Sequence, residues 1–278
     1  MHIRSSVSCC EETDAVLDTA AVLPKSDSRL VAWRKCGDRE DSMAQLLTIL
    51  IISWLAGAAA FVGGIIARLE SSEETETKRE IIHGVIAFGG GILVSAVAFA
   101  LVPEGIAVLG PFSLTIVFCS GGILFCILDA VLSRHGGMKA QFMAMLMDFL
   151  PEAIALGAVF KHDHQLGLLL AGFIGAQNLP EGFNAFREFL SSGVKPSRAL
   201  AALLLASLLG PLAACAGFFL LQDQAKLTAG IMTFAGGGIL YLIFQDIAPQ
   251  SPMRRHWTPP LGAVLGFVVG ILGKKLIG

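Results

Sequence analysis

Two stretches of an otherwise apolar chain hold residues that could do chemistry. "DFLPEAIALG" runs from Asp148 to Gly157, and "QNLPEGFNAF" runs from Gln177 to Phe186. In each, a polar residue stands three positions before a Pro-Glu pair. Asp148 and Glu152 are i, i+4, and so are Gln177 and Glu181, so on helices each pair projects from one face, one turn apart. Each proline lacks an N–H, which frees the carbonyl four residues earlier, at Met147 and Ala176. Two such helices running antiparallel would gather three carboxylates, an amide oxygen and freed carbonyls around one point. A cage of oxygens suits a divalent cation. The structural use of the same residues would be protonated acids hydrogen-bonded across the helices, but two prolines and three acids exceed what packing needs.

The elements that must position these residues are membrane spans. The 278 residues are 54% hydrophobic and 15% charged, with a mean hydropathy of +0.71. That balance points to a polytopic membrane protein, and a net charge of -2 makes nucleic acid an unfitting partner. About 20 apolar residues are needed to cross a core of ~30 Å. Eight stretches qualify, near 44–67, 82–103, 111–133, 141–160, 166–190, 199–222, 227–248 and 259–277. The expected fold is an all-α membrane protein of eight transmembrane helices in contact with the lipid bilayer. Counting from the short turn at 161–165, the four polar residues of the two motifs lie roughly 13 to 24 Å deep at about 1.5 Å per residue. That brackets the middle of the membrane, where a carboxylate costs several kcal/mol.

Internal likeness supports the pairing. "FGGGILVSAVAFALVPEG" (Phe88–Gly105) resembles "AGGGILYLIFQDIAPQS" (Ala235–Ser251), and the two Pro-Glu segments resemble each other. Both pairs lie on spans of opposite direction, so inverted-repeat symmetry is expected, with a site near the midplane. The basic residues after residue 43 concentrate in the connections after spans one, three, five and seven, among them Arg68, Lys78, Arg134, Arg187 and Arg254. By the positive-inside rule those connections are cytoplasmic and both termini lie outside, in a multi-pass protein of the cell membrane. Residues 1–43 read as a polar, disordered tail, with Met43 a candidate start, and residues 44–278 form the membrane domain. The six cysteines form no CxxC pair, so no disulfide framework or thiolate cluster is indicated.

The paired Pro-Glu segments resemble the fourth and fifth helices of ZIP (Zrt-, Irt-like) divalent-metal transporters, whose HNxPEG and second xxxPEG motifs build the metal site. The resemblance covers residues 44–278. It implies uptake of zinc, iron, manganese or a similar ion towards the cytosol, with no prosthetic group and with a homodimer open as an assembly. Carried over position by position, it assigns the metal to Asp148, Glu152, Gln177, Asn178 and Glu181. Asp148 stands where the family has a first His, Phe149 where it has Asn, and Ala153 where it has Gly. Gln177 replaces a frequent His and Asn178 a common acid. A second metal position would need polar groups at Phe149 and Asn178 and an acid from the sixth span, which has none. A single ion is therefore expected. Without imidazole the site should be less biased to zinc than the family pattern, since oxygen ligands suit manganese and ferrous iron as well. Three close acids cannot all carry charge without the metal, so its entry should release protons.

Other polar residues have smaller parts. Gln245, Asp246 and Asp129 are candidates for a cytoplasmic exit. Ser95 and Ser207 should bond back within their own helices. "KHDH", 161–164, is a hydrated turn that could capture cations, and Arg187 and Glu188 form an interfacial pair. Two other function classes remain open: an intramembrane metal-binding protein that does not transport, and an intramembrane enzyme. The chain has neither an HExxH nor a GxSxG motif, which weighs against the second.

Overall fold

The computed structural model describes residues 25–69, 75–134, 140–160, 162–221, 223–254 and 256–277, with backbone alone for 25–42, 132–134 and 140. Much of the expected tail, together with Lys161, His135, Lys139 and Arg255, therefore lies outside the described residues or side chains. The chain divides into two compact units at Thr48/Ile49. In the first, helix runs from Lys25 onward. The second, Ile49–Gly278, holds the helix packing and the polar residues described below.

Helix α1 spans Lys25–Leu69, α2 Glu76–Val108, α3 Pro111–Arg134, α4 Ala140–Val159, α5 His164–Ser191, α6 Pro196–Leu221, α7 Ala225–Gln250 and α8 Leu261–Ile277. Among the described residues there is one isolated bridge, Met253 with His256, and no strand. Among the described residues six helices are long and apolar enough to cross a membrane: Met43–Leu69 within α1, then α2, α3 (Pro111–Val131), α4 (Gln141–Val159), α6 and α7. α5 is long, but Gln177, Asn178, Glu181, Arg187 and Glu188 dilute its second half, and α8 has only 17 residues.

Local chemistry sets the ends. Thr75 and Asp163 cap α2 and α5, accepting from the backbone N–H groups of Lys78 and Leu166 at 3.3 and 2.8 Å. α5 stops at a left-handed Gly193 (φ 78°), where Val194 N–H returns to the Phe189 carbonyl and Gly193 N–H to that of Leu190, both at 2.9 Å. α6 opens on Pro196 and is interrupted at Leu208, just before Pro211, whose missing N–H would have met the carbonyl of Ser207.

Small residues then lock the helices in pairs. A side chain on Gly182 of α5 would strike the carbonyl of Ala60, while one on Gly63 of α1 would strike that of Leu179. The same reciprocity joins α2 to α8 (Gly91 on Ala263, Gly266 on Phe88), α3 to α7 (Gly121 on Phe234, Gly237 on Phe118) and α4 to α6 (Gly157 on Ala214, Gly217 on Ile154). Apolar side chains gain little by leaving lipid for another helix, so close backbone approach is what packs such bundles. α3 turns most of its surface outward, with Phe112, Ile116, Ile123 and Ile127 exposed.

α2 and α7 carry a second shared feature. Each widens into one π-helical turn, Val97–Leu101 and Ile243–Ile247, in which the N–H of the residue after the turn reaches back five positions. Pro103 and Pro249 follow at the same distance, and a π turn is where a helix absorbs such a break. Below α7, the connection to α8 is pinned to the start of α2. His256 sets Nε2 3.0 Å from Glu76 and Nδ1 3.3 Å from Glu80, while Thr258 donates to Glu80 and His83 Nδ1 lies 2.6 Å from the Gln250 carbonyl oxygen.

Two outcomes follow from this packing. Gly157→Ala should destabilise the protein by about 1–3 kcal/mol through overpacking against α6, whereas Gly172→Ala, which meets nothing within 4 Å, should be neutral or gain up to about 1 kcal/mol from helix propensity. Thermal melts of the two variants in one detergent check the contrast. The hydrogen bond to Glu76, with help from Glu80, raises the His256 pKa above its usual value of 6.5. A raised basic pKa stabilises fully below the unfolded value and fades as pH climbs through the folded one. The melting difference between the protein and His256→Ala should therefore be largest near pH 5.5 and shrink towards pH 9.

Candidate metal centre

Pro151 and Pro180 both lie inside their helices, α4 and α5, which pack against each other. The breaks do not end either helix, since the surrounding bundle holds both segments in line. Each proline sits directly before a buried glutamate. Glu152 is 1% exposed, Glu181 5%, Asp148 3%, Gln177 0% and Asn178 1%. All five residues expected from the sequence are thus buried, two on α4 and three on α5.

Their contacts are specific. Gln177 Nε2 donates to Glu152 Oε2 at 2.5 Å, across from α5 to α4. Asn178 Nδ2 donates to the Ala56 carbonyl of α1 at 3.0 Å, which fixes its amide. Asp148 Oδ1 accepts from the N–H of Phe149 at 2.7 Å, and its carboxyl also shares a hydrogen bond with Glu181. Among the described residues four buried side-chain oxygens have no hydrogen-bond partner: Glu152 Oε1, Gln177 Oε1, Asn178 Oδ1 and Glu181 Oε2. Every one of them is an acceptor, so the group that would satisfy them is a cation or a donor. As the side chains stand, no three His, Cys, Asp or Glu among the described residues converge to hold an ion. The Gln177 amide occupies one of the two carboxylate oxygens of Glu152.

Phe149 takes no part. Its ring is buried against Gly57 of α1 and Gly210 of α6, with carbon where a second ion position would need a polar group. Ser95 and Ser207 bond back to Ile92 and Leu204 at 2.7 and 2.6 Å, as expected, and stay out of the centre. Gly182 lets α5 lie against α1, and the ring of Pro180 fills the space a side chain on Gly89 of α2 would need.

Clefts lie on two sides. One small cleft joins Asp148 and Glu181 to Asp246, with Met145, Leu93, Ile239 and Leu242 as apolar walls. Asp246 sits in the π turn of α7, which re-aims that segment. Nearby, Tyr241 donates to Asp129 at 3.0 Å, joining α7 to α3. Gln245 is exposed on the same turn. Glu188 Oε2 accepts from Gln141 N–H at 3.0 Å, capping the start of α4 from α5, and the Arg187 guanidinium lies 5.8 Å above the Phe183 ring. At the other end a cavity of about 410 Å³ is bordered by Glu104, His162, Asp163 and Asp223. Sequence reasoning passed over Glu104 and Asp223. Pro103-Glu104 repeats the Pro-Glu signature and could have been flagged, whereas nothing in sequence marks Asp223.

No family model matches the chain. Over 153 residues, 52% of its length, the chain is 34% identical to the zinc transporter GufA of Myxococcus xanthus. The matched part makes up 59% of that protein, so the chain spans about three fifths of the relative's length. This likeness supports the reading of the chain as a divergent ZIP-family member.

Amide replacement separates a binding centre from a structural cluster. Asp148→Asn keeps the shape and a hydrogen bond but removes one buried acid. If the acids serve an ion, metal-free Asp148→Asn should melt at a higher temperature than the protein itself, since functional polar groups are commonly held at the expense of stability. A lower melting temperature would make the carboxyl cluster structural.

Proposed function

We propose that this chain, a divergent ZIP-family member, moves divalent metal cations across its membrane towards the cytosol, with α4 and α5 providing the ion site. The observation that carries this reading is the set of four unpartnered, buried acceptor oxygens spread over Glu152, Gln177, Asn178 and Glu181. Such a set is costly at rest and is satisfied by a dication. Asp148 completes the charge. With Asp148, Glu152 and Glu181 supplying carboxylates and Gln177 and Asn178 supplying amide oxygens, one ion would be held by oxygen alone. Zinc accepts such ligands, and so do manganese and ferrous iron.

The path fits the same scheme. Ions enter past Glu104, Asp163 and Asp223, reach the proline-broken turns, and leave along the cleft that ends at Asp246. Phe149 fills the position of a second ion, which favours one ion per passage. We place both termini outside the cell membrane, on the distribution of lysine and arginine, and count α5 and α8 as spans seven and eight beside the six apolar ones. α5 has polar residues because it builds the site, and α8 is paired along α2. An inverted repeat is supported by the pairing pattern: α1 with α5 and α6 with α4 correspond, as do α2 with α8 and α7 with α3. The matching π turns of α2 and α7 agree with it. The chemistry asks for conduction rather than bond breaking, so we read the protein as a transporter and not an enzyme.

Uptake of zinc, manganese and ferrous iron into proteoliposomes tests the proposal. Flux into vesicles holding the natural protein should fall by more than about tenfold in Glu152→Ala/Glu181→Ala, since removing ligands exceeds the 10–100-fold cost of outer-shell changes. Binding without flux in the natural protein would identify a metal binder that does not transport. Flux unchanged in the double variant would move the site elsewhere.

A further inference from the structure

Gln177 and Asn178 are neighbours on one turn of α5, both amides, both buried, and they are anchored in opposite ways. Asn178 gives its N–H to a main-chain carbonyl, Ala56, which no ion needs. Its Oδ1 is thereby held in one direction. Gln177 gives its N–H to Glu152 Oε2, a carboxylate oxygen of the candidate site, at 2.5 Å. Its own oxygen, Oε1, has no partner, and neither has Glu152 Oε1.

An amide nitrogen bearing two hydrogens has no lone pair to offer a cation, whereas the amide oxygen has two. In the arrangement seen, Gln177 therefore presents its non-ligating end to Glu152 and turns its ligating end away. The terminal torsion of glutamine is broad and roughly two-fold, so exchange of the two ends needs no change of helix. We infer that Gln177 is an internal latch. In the metal-free centre its N–H occupies Glu152 and ties α4 to α5, and arrival of a divalent cation releases Glu152 and turns the amide so that Oε1 faces the ion. This rests on the proposed metal site.

The latch has two physical consequences. It partly offsets the charge of Glu152 while no ion is present, which lowers the cost of keeping a carboxylate in a dry interior. It also competes with the ion for the same oxygen, so part of the binding free energy is spent in breaking it, and the same bond re-forms as the ion departs. A site that must release its cargo gains from such a competitor. Asn178, whose amide is committed to the backbone, cannot play this part and serves as a fixed wall.

Nuclear magnetic resonance of the full chain in lipid nanodiscs, labelled with ¹⁵N and ¹³C at glutamine, reads this bond directly, with zinc as a diamagnetic probe. The Gln177 side-chain signals are assigned by their loss in Gln177→Glu, which keeps the shape, and in Gln177→Met as a second variant. Without metal, one Gln177 amide proton should be shifted downfield by its bond to Glu152. Added zinc should move that proton upfield and shift the side-chain carbonyl carbon, both along the saturation curve that calorimetry gives for zinc. Zinc binding by calorimetry with both Gln177 signals unmoved would overturn the latch and leave the metal site standing. A metal-free Gln177 proton without the downfield shift would overturn it too. No zinc binding at all would remove the metal site, and the latch with it.

Discussion

An acceptor oxygen buried without a partner costs on the order of 1–3 kcal/mol in a protein interior, and the described residues of this bundle keep four of them on two adjacent helices. The rest of the structure is arranged around that expense. The two helices that carry them hold prolines, each of which removes an N–H and leaves a helical carbonyl without its usual partner, so the segments offer further acceptors and no spare donor. Apolar side chains of Met145, Leu93, Ile239 and Leu242 form the walls of the small cleft that reaches Asp148 and Glu181. The carbonyl of Ala56 and the N–H of Phe149 reach into the cluster from the main chain.

Holding such a cluster needs walls that do not yield. Van der Waals contact must do this work in a membrane, because leaving lipid for protein brings almost no hydrophobic gain. The reciprocal glycine contacts supply it: each of the four helix pairs brings backbone against backbone at points where a methyl group would overlap a carbonyl. α4 and α5, the helices of the cluster, are each clamped from outside in this way, α4 by α6 and α5 by α1. The clamps leave the clefts along α7 and at the α2–α5 end free to be polar. The π turn of α7 then places Asp246 on one of those clefts.

Much of the centre could be read in the sequence because proline and acid are both conspicuous in apolar surroundings. Asp148, Glu152, Gln177, Asn178 and Glu181 were each expected and each is buried, on α4 or α5. The exposed position of Gln245 and the back-bonded Ser95 and Ser207 also agree with their residue types. Glu104 and Asp223 were not foreseen, since a single acid near a span end is usually solvated and only the fold shows that the two border one cavity with Asp163.

Periodicity, proline spacing and hydropathy are local properties, and they were enough to determine that this chain is helical, where most helices run, and which buried residues have chemistry to offer. They could not decide partners. Which glycine meets which carbonyl, that the Gln177 amide points its nitrogen at Glu152 and leaves its oxygen bare, and that Asn178 is tied to α1 all depend on the relative placement of helices far apart in the chain. A hydrogen-bond donor and acceptor on the same amide group differ by a rotation of one torsion, and no residue pattern records that choice. Packing settles it, because in a dry interior each orientation is selected by the atoms it happens to face.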